Sequence, residues 1–210
     1  MADEALITDL LPEWAAFRDA TAHRNPSHGT ACAAWTTRDI IAHQAGNAVE
    51  LGRVLERGLD EPDAWVPRTG RQMKVAWFGE HMRSEMILHR WDLVGDDDQA
   101  NAQLAQPWMT RHTVDAVGVP LLRRGNANIP QTPFTCRLRV ANQPDVVLNG
   151  GAQPTIGLTP ADPDTQADVV TDAAARVLLL WGRQPADTTR LHSEVGPERL
   201  GRCRALLSGY

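Results

Sequence analysis

Along the first part of the chain, apolar residues recur every three or four positions, the period of a helix with one buried face. Leu6, Leu10, Trp14 and Phe17 place a first helix over 3–22, and Asn25-Pro26-Ser27-His28-Gly29 is turn chemistry that ends it. Ile40, Ile41, Ala45, Ala48, Leu51, Val54 and Leu55 form the stripe of a second helix. It starts at the capping hydroxyls of Thr36 and Thr37 and stops at Gly58 and Pro62. The stretch 57–70, rich in Pro, Asp and Gly, reads as a loop. A third helix over 72–94 offers Val75, Met82, Met86, Leu88 and Leu93 for packing, and Gly95 with the acidic run Asp96-Asp97-Asp98 closes it. A fourth covers 105–123, its last turn weakened by Pro120.

The period changes near residue 125. Gly125-Asn126-Ala127-Asn128-Ile129-Pro130 reads as a linker, and Phe134 to Val140 alternates as a half-buried strand does. Val146-Val147-Leu148 is a second strand, Asn149-Gly150-Gly151 a hairpin turn, and 154–158 and 167–171 are two more strands. Asp172 caps a helix over Ala173–Trp181 that Gly182 ends, and a last helix runs over Pro197–Leu207. The expected architecture is α+β: a four-helix bundle over 1–125, then a smaller α+β domain over 131–210.

Composition narrows the function classes. The net charge is −5 and the sequence pI about 5.8, with no basic stretch, so nucleic acid is not an expected partner. The longest apolar patch, Val177 to Trp181, is far short of the ~18 residues of a membrane span. The first residues lack a basic start followed by an apolar core, so no secretory signal is expected. Cys32, Cys136 and Cys203 are odd in number, widely spaced and without a CxxC pair. Each is expected as a small, half-buried side chain in a reducing cytoplasm, not as part of a disulfide framework.

The chemistry concentrates on the third helix. Glu85 and His89 stand at i, i+4, one above the other, so a carboxylate and an imidazole can grip one metal ion. His81 extends the stripe, but His81 and His89 are separated by about 12 Å of helix rise, too far for both to reach one ion. A third ligand must come from elsewhere, and His43, inside the apolar stripe of the second helix, is the candidate. Ligands projecting inward from facing helices build many bundle metal sites. Two imidazoles and one carboxylate leave open positions on the ion, as a catalytic site does.

Trp35-Thr36-Thr37-Arg38-Asp39-Ile40-Ile41-Ala42-His43, followed by Glu85-Met86-Ile87-Leu88-His89-Arg90-Trp91-Asp92, resembles the mycothiol-dependent maleylpyruvate isomerase family. Ala173–Arg183, ending Leu180-Trp181-Gly182-Arg183, resembles that family's second domain. The resemblance implies a DinB-like helical bundle and matches His43, Glu85 and His89 to the family's metal ligands. It also implies a divalent ion, zinc in the first place, with mycothiol as thiol cosubstrate, and it assigns Arg183 a role in binding substrate. Zinc suits two histidines and a glutamate, although nickel, iron and copper accept the same donors.

Further roles follow from position. Asp92, three residues beyond His89, is placed to orient a ligand imidazole during catalysis. Arg83 and Arg90 are candidates to meet an acidic substrate or the thiol cofactor. The expected activity is isomerisation or S-transfer on a small electrophilic alkene. Two other classes compete with it. One is a binding protein that holds an apolar ligand in its C-terminal unit and uses the metal structurally; the other is a metal-dependent hydrolase that needs no thiol.

Overall fold

A computed structural model describes residue 9 and residues 11–58, 61–68, 71–127, 132–193 and 196–208. The chain is α+β and divides into two compact units, 1–100 and 101–210. The division falls earlier than the change of period near residue 125. The expected fourth helix, over 105–123, therefore falls within the second unit.

In the first unit, α1 (Trp14–Ala22), α2 (Thr37–Gly58) and α3 (Phe78–Val94) carry the core. The expected start of the first helix lies outside the described residues, apart from Asp9. Phe17, Ile40, Met82, Met86 and Leu93 bury together, with Leu11, Trp14, Ala20, Trp35 and Leu51 packed around them. The N-terminus of α2 is closed by Asp39, whose carboxylate accepts from the Thr36 amide and hydroxyl. The expected loop 57–70 is in part a hairpin: β1 (Trp65–Arg68) pairs antiparallel with β2 (Arg71–Lys74), Val66 opposite Met73. A 3-10 turn over Val75–Trp77 leads into α3, so that helix begins six residues later than its pattern suggests.

The acidic run after α3 is tied back to that helix. Asp97 takes both guanidinium nitrogens of Arg90 and also accepts from the Ala100 amide, at the start of α4 (Asp98–Leu104). Asp96 accepts from the Trp91 indole.

The second unit opens with α5 (Pro107–His112), a π-helical turn (Thr113–Gly118) and α6 (Val119–Asn126), which continue one another. Pro120 sits where the π-helical turn passes into α6. Gly125 and Asn126, expected in a linker, end α6. A Cβ at Gly125 would lie 1.8 Å from the Leu206 carbonyl, so only glycine lets α8 (Pro197–Leu207) approach so closely. The sheet holds β3 (Phe134–Arg139), β4 (Asp145–Gly150), β5 (Thr155–Thr159), β6 (Val169–Thr171) and β7 (Leu191–His192), in the order β5-β4-β3-β6-β7. Only the β3–β6 pairing is parallel. α7 (Ala173–Leu180) is capped as its sequence predicts, Asp172 accepting from the Ala175 amide at 2.9 Å.

Cys136 on β3 and Cys203 on α8 form a disulfide, both fully buried. This corrects the expectation of separate thiols: the spacing of 67 residues hides the pair in the sequence, and packing of α8 on the sheet brings it together. Among the described residues, no helix is long and apolar enough to cross a membrane.

Candidate metal centre

His43 on α2 and Glu85 and His89 on α3 converge, with one ligand atom from each lying within 4.8 Å of the others. This group can hold a metal ion. His43 Nε2 is 2.9 Å from Glu85 Oε2, and His89 Nε2 is 3.4 Å from the same oxygen. His81 addresses the other oxygen, its Nε2 lying 3.3 Å from Oε1. The stripe of three residues thus splits, as helix rise requires: His81 holds the carboxylate from behind while Oε2 turns toward the two ligand imidazoles. Glu85 and His89 are almost fully buried, and His43, with its side chain 31% exposed, is the open edge.

Burial pushes the Glu85 carboxyl up. The hydrogen bonds of His43 and His89 and the charges of His81 and His89 outweigh it, and hold the carboxyl well below the usual carboxylate range. Burial likewise pushes His89 down. Hydrogen bonds to Asp92 and Glu85 and the charges of both reverse this, and leave the imidazole above its ordinary value. Asp92 Oδ2 accepts from His89 Nδ1 at 2.8 Å, which fixes the tautomer and directs Nε2 toward Glu85. Asp92 therefore stands where the sequence suggests.

Trp35 was not expected at the site. Its indole stacks on His89 at 5.7 Å with 13° between planes, and meets His43 edge-on at 5.1 Å. The loop that presents it is built for the purpose. Ala34 adopts φ +65, a left-handed conformation that side chains rarely take. Gly29 bridges Thr36, and the Ala31 amide donates to the Asp92 carbonyl, tying the loop to α3. Asn47, one turn beyond His43, is buried against the same atoms and was also missed.

The two arginines expected to meet a cofactor each hold a carboxylate. Arg83 Nε and Nη2 grip Glu13 at 2.7–3.1 Å, which joins α3 to the start of α1. Arg90 grips Asp97. Arg183 lies in the second unit just past α7, 6% exposed, with Nη1 donating to the Trp181 carbonyl. It lines a small cavity of about 220 Å³ with Arg204 and Ser208.

A larger cavity of about 360 Å³ opens between α1 and α2, walled by Trp14, Phe17, Ile41, Ala45, Ala48 and Met86. Much of the expected apolar stripe of α2 lines this cavity, and Ile41 remains 43% exposed. None of His43, Glu85 and His89 lines it. Comparison of the chain with protein-family models, with curated proteins and with solved structures finds no match in any of the three.

Proposed function

We propose that the chain is a metal- and thiol-dependent enzyme, a mycothiol-using isomerase or S-transferase of the maleylpyruvate isomerase type, with a DinB-like first unit. The observation that supports this most is the convergence of His43, Glu85 and His89, with an open edge at His43. These residues fit a divalent ion by donor type and by spacing, and zinc is the ion that suits them first. When bound, the ion supplies positive charge that favours the thiolate of a low-molecular-weight thiol at neutral pH.

The chain's own residues prepare that site. His81 and the ligand imidazoles hold Glu85 ionised, so that no proton must leave it on loading. Asp92 holds the His89 Nδ1 proton and turns Nε2 toward Glu85. Trp35 covers the face of His89 and excludes water from it. Reactants enter past His43. There the thiolate sulfur bonds to one alkene carbon, and the electron pair moves toward the conjugated carbonyl. The former double bond, now single, rotates, and expulsion of the thiolate restores it as the trans isomer. Retention of the C–S bond, with a proton added at the neighbouring carbon, gives S-transfer instead.

The test is elemental analysis of wild type and His43→Ala, purified without chelating resin, followed by maleylpyruvate isomerisation with and without mycothiol. Near-stoichiometric metal in the wild type, lost in the variant, and isomerisation only with thiol are the expected results. Cleavage of the substrate by water, with no need for thiol, points instead to a hydrolase. The cavity between α1 and α2 favours a second reading, a small-molecule-binding protein whose metal is structural. Apolar ligand binding that survives His43→Ala, with no turnover in the wild type, would establish that reading.

A further inference from the structure

Asn47 is 5% exposed and belongs to none of the roles assigned above. Its Nδ2 lies 3.1 Å from His43 Nε2 and 3.5 Å from Glu85 Oε2. Around His43 the hydrogen bonds conflict. Nε2 either donates its hydrogen to Glu85 or accepts one from Asn47, and one nitrogen cannot do both. A cation between the imidazole and the carboxylate removes the conflict, because both then turn lone pairs toward it. The carboxamide can follow, since half a turn of its last torsion puts Oδ1 where Nδ2 stands.

We infer that Asn47 is a fourth protein group of the metal centre, its Oδ1 facing the cation beside His43, Glu85 and His89. This rests on the metal-dependent reading proposed above. Spacing carries the argument. With bonds of ~2.0–2.2 Å, two donor atoms on one ion stand about 2.8–3.1 Å apart at right angles, and about 3.3–3.6 Å apart at tetrahedral angles. The separations here are 2.9 Å for His43–Glu85, 3.4 Å for Glu85–His89, 3.1 Å for His43–Asn47 and 3.5 Å for Glu85–Asn47. These four separations fall within those two ranges. The helices then contribute alike: α2 presents His43 and Asn47, and α3 presents Glu85 and His89, each pair one turn apart. An amide oxygen is neutral and a weaker donor than a carboxylate. It adds affinity without adding charge, and it yields readily to an incoming substrate donor.

The test uses the full chain. Zn²⁺ affinity is measured by chelator competition for wild type, Asn47→Ala and Asn47→Asp, and the visible absorption of the Co²⁺-loaded proteins is recorded. Circular dichroism confirms that each is folded. Asn47→Ala is expected to bind at least tenfold more weakly, with an altered Co²⁺ spectrum. Asn47→Asp, which keeps an oxygen in place and adds charge, is expected to bind at least as tightly as wild type, and it decides the matter if Asn47→Ala does not fold. Asn47→Ala within twofold of wild type with an unchanged spectrum, or Asn47→Asp weaker than wild type, overturns the inference while the three-ligand centre stands. A wild type that takes up no metal overturns the proposed function itself.

Discussion

Asp92→Asn isolates the contribution of one buried hydrogen bond to the metal centre. The side chains of His89 and Asp92 are 2% and 0% exposed and meet at 2.8 Å, so the bond is charge-assisted and unscreened by water. Bonds of this kind contribute about 1.5–3 kcal/mol, against about 1 kcal/mol for a neutral one. Asparagine keeps the size and can still accept through its amide oxygen. The net loss is therefore about 1–2 kcal/mol, and it falls on the state in which His89 must hold its Nδ1 proton while Nε2 binds the ion. That converts to a metal affinity about 5–30-fold weaker, in line with the ~10–100-fold cost usual for groups that orient ligand imidazoles. Chelator competition at pH 7 with Zn²⁺ reads this directly, and thermal unfolding without metal checks the fold. Asp97→Asn serves as control, because its carboxylate serves Arg90 and the start of α4. A folded Asp92→Asn protein with affinity within twofold of wild type would refute the reasoning: His89 would then not be held for the ion by Asp92.

Two further outcomes concern the second unit. Replacing Cys136 and Cys203 by serine opens a loop of 67 residues and should cost about 4 kcal/mol in urea unfolding on the chain-entropy account; an unchanged midpoint in the presence of dithiothreitol would show that the bond does not form. Burial pushes the Asp145 carboxyl up, but hydrogen bonds from Arg139 and Arg137 outweigh it and leave the carboxyl below its ordinary value. Its stabilisation is thus present above the unfolded value of ~3.9 and disappears as pH falls through the lower folded value. Asp145→Asn should destabilise by about 2–3 kcal/mol at pH 7, reduced from a fully buried pair because both arginines retain some exposure. The deficit should shrink toward zero in acid. A deficit that is constant with pH in urea titrations would rule out this assignment.

Much of the candidate metal centre was legible because helices make sequence distance into spatial distance. Glu85 and His89 are four apart on a helix and must share a face, and the same rule shows why His81 addresses the opposite carboxylate oxygen instead of the ion. Asp92 was readable for the same reason. Asn47 carried an identical signal relative to His43. It passed unnoticed because an amide in a helix has no strong prior as a metal-centre residue. Trp35 gave no periodic signal, since it sits on a loop whose course depends on the left-handed Ala34 and on bonds to α3.

Local pattern thus determined most of the helices, the alternating strand at 134–140, the Asp172 cap and the pairing of Glu85 with His89. Each depends on neighbours within one or two turns. Tertiary structure alone decided the rest. Arg83 pairs with Glu13, 70 residues upstream. Cys136 finds Cys203, β3 runs parallel to the distant β6, and the helices after residue 104 fall in the second unit. These outcomes set pairings between segments far apart in the chain, where many partners are chemically equivalent and only the packed arrangement selects one.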